Sequence, residues 1–383
     1  RNLFSEGAHP DKSSTSHWYA TNHFFGHGHW VWMIPIDRDT NTVSFGLVAH
    51  RSVIDPRTVN TQEKLLAFLK ANHTILSDLI DSGNIEDFIC WDRPSHICKE
   101  MFGENNWYAI GDAAYFGDPF YSTGTSTISV AITSVTKIIE ARSKGWADAE
   151  ERRRVYNEAN LTFGRTVGIH LFREHPGHMG HASAMSWRIY LEYMWWFGMW
   201  VPMFVGKWHL DLDFARALVM NDEKPFFKLV YDRFTKLAKE GGNAGFMDAY
   251  RADQLFMGYA PTGDPEHWLE NLELGRQRLN VFATLSRTYR MTAVYTVVFL
   301  YRAWGWKGLL DPEMLGHAAC MLLKSAWVGM GSIRHRIQNI GKPKSISFDQ
   351  LQQDFMMAGP LPKVQQWLPE PEPEPAMKKA SGE

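Results

Sequence analysis

The sequence predicts an α+β fold over its first part, followed by a mostly α-helical region, and three observations carry that prediction. Alternating apolar residues flank a polar turn near the start, an apolar stripe of helical spacing opens after Gly124, and beyond Gly145 helical periodicity dominates without convincing strands. The 383 residues, 45% hydrophobic and 21% charged, can bury a sizeable core as one large domain or two. We divide the chain into an α+β part over 1–145, a helical part over 146–360, and a Pro/Glu-rich tail over 361–383 that is expected to be disordered. A formal net charge of −2 gives no electrostatic basis for binding nucleic acid or an anionic membrane surface.

The chain opens at Arg1 with the polar stretch Glu6 to Ser16, which has no charged-then-apolar secretion signal. Three cysteines, Cys90, Cys98 and Cys320, are too few and odd in number for a disulfide framework, which points to a reducing, cytoplasmic setting and ordinary buried thiols. Cys90, His96 and Cys98 lack a suitably spaced fourth ligand for zinc. Gly26-His-Gly28 is no dinucleotide fingerprint, because the third glycine is missing and a strand follows instead of a helix.

That strand places Trp30, Trp32, Ile34 and Ile36 on one face, with Pro35 near its end. Asp37 to Asn41 turn, and Val43, Phe45 and Leu47 alternate on the return. Two indoles on one face are also what a simple core strand would carry. Thr61 to Ile80 reads as a helix packed on the sheet, with Leu65, Phe68, Leu69, Leu76 and Leu79 in its stripe and Gly83 beyond its end. Ile85 to Trp91 and Trp107 to Ile110 read as strands.

The run from Trp107 to Gly124 reads as strand, loop and helix start. From Thr125 the residues Ile128, Ala131, Ile132, Val135, Ile138 and Ile139 recur at helical spacing, and the first acidic residue is Glu140. The positive end of the helix dipole is therefore uncompensated. Free amides around Ser122 to Thr125, with Gly124 allowing close approach, could hold a phosphate, a halide or a negatively charged cofactor ring. Asp112 could accept hydrogen bonds from sugar-like hydroxyls.

Beyond Gly145, coarse helices are expected over 148–170, 184–204, 211–240, 265–304 with a break, and 311–328. Tyr190 to Trp208 is crowded with aromatics, but Glu192, Pro202 and Lys207 interrupt it, which suits a buried or substrate-lining helix rather than a membrane span. His175, His178 and His181 sit among Pro176, Gly177 and Gly180, so no rigid element converges them on a metal, and a surface or cofactor-edge place is expected.

Gly111-Asp112-Ala113-Ala114, then Asp118-Pro119 and Ser122-Thr123-Gly124, resembles the second flavin-binding motif of FAD-dependent monooxygenases. The pattern Phe116, Pro119, Ser122, Gly124 is similar to the version in flavin-dependent halogenases, and Trp30-Val-Trp32-Met-Ile34-Pro35 matches that family's Trp-x-Trp-x-Ile-Pro. The resemblance implies a partial FAD-binding, aromatic-hydroxylase-like flavoprotein fold in which Gly111, Asp112, Pro119, Ser122, Thr123, Gly124 and Thr125 bind the cofactor. It further implies a halide site at the Thr123 and Gly124 amides, and a wall of Trp30, Trp32, Ile34 and Pro35 beside the flavin. The reaction implied is FADH2- and O2-dependent halogenation through flavin hydroperoxide and hypohalous acid, with a flavin reductase as partner. The family's catalytic lysine belongs to a portion preceding this chain, as does the dinucleotide fingerprint; the chain then reads as a C-terminal portion that holds FAD weakly alone.

Tryptophan halogenases carry a glutamate where this chain has Tyr121, which directs the substrate away from free tryptophan to a phenolic or pyrrolic ring, free or tethered to a carrier protein. Alternatives are an FAD-dependent aromatic hydroxylase or a prenyl-chain reductase of the same superfamily, and a non-catalytic Trp-rich binding protein.

Overall fold

The computed structural model describes residues 21–37, 39–166, 175–220, 223–247 and 280–341. Strands β1 (Asn22–Gly26), β2 (His29–Asp37) and β3 (Thr42–Ala49) form a three-stranded antiparallel meander in that order. Gly26 pairs with His29, so His27-Gly28 is a two-residue hairpin turn in which Gly28 takes φ +70°. The second hairpin sets Trp30 opposite Val48, Trp32 opposite Gly46 and Ile34 opposite Ser44, and its turn falls where expected. Both faces of β2 are covered at its centre: Trp30 is buried on one side, and Val31 and Met33 on the other. Ile36, at the strand end, is 64% exposed.

The helix expected over 61–80 packs on the sheet but is two helices, α1 (Gln62–Asn72) and α2 (Thr74–Asp81), broken at His73. His73 leaves helical geometry (φ −141°, ψ 70°) where its Nε2 meets His29 Nε2 of β2 at 2.7 Å. Leu69 and Leu76, on either side of the break, bury against Val31 and Met33.

The two further strands do not form. Residues 85–91 have no regular structure, and Ile89 and Trp91 stay exposed because no described strand pairs with them. Residues 101–109 instead close on themselves: Ala109 N–H donates to the Met101 carbonyl (2.8 Å), and Gly103 N–H to that of Trp107 (2.9 Å). Asn157 Oδ1 accepts the Met101 and Phe102 amides at 2.8 and 3.0 Å, which holds this loop on a helix rather than a sheet. A two-residue pair, β4 (His96–Ile97) with β5 (Tyr115–Phe116), is the second sheet.

Helix α3 (Thr123–Ser143) packs on α4 (Ala149–Gly164) through Ala131, Ile138, Val155, Tyr156 and Leu161. Its buried face is Val130, Ala131, Ser134, Ile138 and Ala141, whereas Ile132 and Ile139 point outward. The described residues beyond α4 are mostly helical, as expected: α5 (Ala182–Trp195), α6 (Val201–Val205), α7 (Leu212–Met220), α8 (Lys224–Lys239), α9 (Val281–Trp304) and α10 (Pro312–Gln338). A π turn over Trp196–Trp200 joins α5 to α6, and α5, α8, α9 and α10 share one aromatic-rich core. Asp311 and Asn280 cap α10 and α9 by accepting the Met314 and Ala283 amides. The expected helical residues 265–279 and the Pro/Glu tail lie outside the described residues. Among the described residues, no helix is long and apolar enough to cross a membrane.

Cys90 and Cys320 are exposed and Cys98 is half-buried, contrary to the buried thiols expected. Cys90 lies in the strandless 85–91 segment, and Cys320 on the outward side of α10.

Candidate functional site

The run from Gly111 to Gly124 is built from turns. Gly111–Ala113 and Pro119–Tyr121 are single 3₁₀ turns flanking β5, so Asp112 sits exposed in a turn rather than at a strand end. Gly111 needs its φ of +59°, and a Cβ there would touch Ile128 of α3 at 3.4 Å, so the turn lies close on the helix. Asp118 closes the second turn by accepting the Phe120 amide at 3.0 Å, and Pro119 takes its first position.

Helix α3 then starts at Thr123, as expected, in a form that favours an anion. Ser122 holds the left-handed conformation (φ 53°, ψ 36°), its side chain does not cap the helix, and no acid lies in the first turn. Ser122, Gly124 and Thr125 are exposed, and a Cβ built on Gly124 meets nothing within 4 Å. This helix start is thus uncapped and exposed at Ser122, Gly124 and Thr125, with Thr123 buried between them, and its free dipole end suits the negatively charged part of a flavin or a halide.

The upstream tryptophan strand reaches this loop. Trp30 Nε1–H donates to Asp118 Oδ1 at 3.1 Å, and the indole lies 5.5 Å from the Phe120 ring. Burial pushes the Asp118 carboxyl up to about 6, against hydrogen bonds from Phe120 and Trp30 that favour its charged form. Trp32 is half-buried beside Trp30 (ring centroids 5.8 Å apart), donates to Ser44 Oγ at 3.1 Å, and occupies the space that a Cβ at Gly46 would fill. Ile34 and Pro35 are half-buried further along β2. Trp30 is thus core and, at the same time, the link between the two motifs.

On the other side of the turn lies a cavity of about 400 Å³, with Tyr121 and Thr123 in its wall and Trp195, Trp196, Met199 and Trp200 across from them. The aromatic stretch thus lines a cavity, and the π turn aims its indoles there. A second cavity of about 520 Å³ lies between the sheet, α2 and α5, and Tyr121 and Tyr193 line both.

Behind Tyr121 runs a chain of buried polar groups. The Tyr121 hydroxyl donates to Glu192 Oε2, and the Tyr231 hydroxyl donates to Glu192 Oε1. Arg188 Nε, one turn earlier on α5, also donates to Oε1, at 2.9 Å, and its guanidinium lies 4.5 Å from the Tyr231 ring centre. Arg188 Nη1 then donates to His178 Nε2 at 2.9 Å, so His178 Nδ1–H must donate to Thr235 Oγ1 (3.1 Å). Burial, and next the Arg188 charge, hold the His178 imidazole well below its usual range and neutral. Burial, followed by the Glu192 charge, pushes the Tyr121 and Tyr231 hydroxyls well above theirs. His178 is 1% exposed, which corrects the expected surface or cofactor-edge place for it; the Arg188 partner is what draws it inside. His181 caps α5 by accepting the Ala184 amide.

The structure brings Trp30 to the flavin-motif loop and Tyr121 and Thr123 to one cavity, while Asp112, Gly124 and Thr125 face outward. Sequence reasoning missed Arg188, Glu192 and Tyr231. Their signal was an i, i+4 Arg–Glu pair inside an otherwise apolar, aromatic run, which only a buried ion pair explains. Among the described residues no group of three or more His, Cys, Asp or Glu side chains converges as a metal site.

No family model matches the chain, and no solved structure is significantly similar to it. It is 34% identical over 342 residues to the flavin-dependent halogenase chlA of Dictyostelium discoideum, a match that covers 88% of this chain and 57% of that protein. It is 27% identical over 115 residues to the flavin-dependent halogenase gsfI of Penicillium aethiopicum, covering 28% of this chain and 21% of that protein. The flavin-dependent halogenase ptaM of Pestalotiopsis fici is 28% identical over 123 residues, or 31% of this chain and 22% of that protein. The chain therefore spans little more than half the length of the relative it matches most extensively among these. With both sequence motifs joined in space and similarity running through most of its length, the chain belongs to the flavin-dependent halogenase family.

Proposed function

We propose that this chain forms the halide- and substrate-side part of an FADH2- and O2-dependent halogenase acting on an electron-rich aromatic ring, phenolic or pyrrolic, free or carrier-tethered. The observation that carries the reading is the uncapped start of α3, which opens outward at Gly124 while its first residue, Thr123, lines an aromatic cavity. Gly111, Asp112, Pro119 and Ser122 to Thr125 would hold the flavin, with the Thr123 and Gly124 amides holding halide. Reduced flavin, supplied by a flavin reductase, would activate dioxygen, and dioxygen is the oxidant that takes halide to the level of an electrophilic halogen. The chain's own part is to bind anions at the helix start, to keep the organic substrate in the aromatic cavity, and to separate the two with the Trp30–Asp118 seam and the Tyr121 wall. No lysine of this chain is assigned the family's catalytic role.

The test supplies the protein, as its gene encodes it, with a flavin reductase, a nicotinamide cofactor, FAD, oxygen and bromide, and a panel of phenols and pyrroles. The expected result is a product with bromine's paired-isotope mass signature that requires bromide. Hydroxylated product alone would favour the aromatic-hydroxylase reading and overturn this one.

A further inference from the structure

A charged pair in a helical core needs a reason. Arg188 is fully buried and Glu192 is 7% exposed, and replacing such a pair with apolar residues of similar volume is often neutral or stabilising. Here the pair is also elaborately held: one Glu192 oxygen takes Arg188 and Tyr231, and Arg188 is braced by His178 and, through it, Thr235. The other oxygen takes the Tyr121 hydroxyl, and both Tyr121 and Glu192 belong to the wall of the 400 Å³ cavity. The rest of that wall sets the rings of Phe163, Trp195, Trp196, Trp200 and Phe227 beside polar groups that include Glu158, Asn160, Arg165, His209 and Glu223. A neutral phenol that spends its proton on a carboxylate offers its own oxygen as an acceptor, and that acceptor is strengthened by the charge behind it.

We propose that the Tyr121–Glu192 pair is the specificity-determining contact of the cavity: Tyr121 Oη accepts a hydrogen bond from an O–H or N–H borne directly on the substrate's aromatic ring, with Arg188 and Tyr231 positioning Glu192 behind it. The inference rests on the substrate reading of the cavity above and deepens it. Only hydrogen bonds form, and no substrate bond breaks. A donor bonded there leaves more electron density on its ring, which suits attack by an electrophilic halogen, and a ring without a donor leaves the polar pair facing an apolar edge.

The test compares 2-naphthol with its methyl ether, measuring equilibrium affinity by quenching of the tryptophan fluorescence of Trp195, Trp196 and Trp200. Loss of a hydrogen bond to a charge-backed acceptor predicts that the parent prefers the naphthol by about tenfold or more. Tyr121→Phe, checked for folding by circular dichroism, should bring that ratio close to one with little change in affinity for the ether; it removes the donor to Glu192 Oε2 and keeps Arg188 and Tyr231 on Oε1. Glu192→Gln, checked for folding by circular dichroism, should lower the ratio through a weaker acceptor. Equal affinities in the parent, no binding of either probe, or a ratio untouched by Tyr121→Phe would overturn the inference. A parent that discriminates between the probes but forms no brominated product would overturn the halogenation reading and leave this contact standing.

Discussion

Gly124 is where a single residue separates structural from chemical roles. Its φ is ordinary and a Cβ there meets open space, so a side chain is sterically allowed. An acid in the first turn of α3 would also answer the uncompensated dipole, which has no carboxylate until Glu140. Gly124→Asp is therefore expected to raise stability by about 0.3–1 kcal/mol in urea unfolding. The same carboxylate would repel flavin and halide from the amides around it, so brominated product should fall at least tenfold. A variant that is more stable and equally active would remove the helix start from the cofactor and halide assignment. The Tyr121 substitution has the same logic at the cavity wall, where deleting a hydroxyl takes the donor from Glu192 Oε2 and leaves Oε1 on Arg188.

Elements show where sequence patterns suffice and where they do not. The β2–β3 hairpin was readable because alternation and the Asp37–Asn41 turn act locally, and Gly46 opposite Trp32 completes the register. The helix start at Ser122–Thr125 was readable for the same local reason. The break at His73 was not, because it depends on a histidine forty-four residues away in β2. Trp107 to Ile110 reads as a strand, yet it folds back on Met101–Gly103, whose first two amides Asn157 of α4 holds. The Arg188–Glu192–Tyr121 chain joins α5 to the Pro119–Tyr121 turn, two segments that only the fold brings together.

A second inter-element contact is just as demanding. Gly180, before α5, has φ +92°, and a Cβ there would lie 2.6 Å from the Gly26 carbonyl carbon in the β1–β2 turn. This glycine lets the sheet and the helical region meet at backbone distance. Gly180→Ala combines backbone strain with a clash against main chain, and is expected to cost about 2–4 kcal/mol in chemical unfolding. A loss under about 0.5 kcal/mol would show that the two regions separate freely at this point.

Across the whole molecule, the sheet and helical parts meet at Trp30, Phe120, Met179 and Met185, where His23 packs on Trp30 and Phe120, and further buried or half-buried histidines lie in other layers. Burial lowers the imidazoles of His23, His29 and His73, with the neighbouring His73 and His27 adding to the effect at His29. Burial likewise takes His178 well below its usual range, and His209, helped by Lys207, down to about 4. In each case the folded state holds a neutral ring that the unfolded chain protonates near 6.5, so folding releases protons. The stability contributed by these rings is complete above 6.5 and is lost as pH falls from there through the folded-state values, that of His209 being near 4. His209 alone, 4% exposed, carries a loss on the order of 3 kcal/mol over that window. Asp118 works the other way: raised from 3.8 to about 6 by burial, it favours the folded state more as the medium becomes acidic, but it is one group against five. Unfolding free energy should therefore be several kcal/mol lower at about pH 5 than at about pH 7.5, as measured by urea titration at constant ionic strength. Because His29 and His73 share a 2.7 Å contact that cannot survive with both rings charged, His73→Gln should flatten part of that slope. A stability curve that is level or rises toward acid would mean that these histidines titrate normally in the folded protein and that burial does not hold their rings neutral.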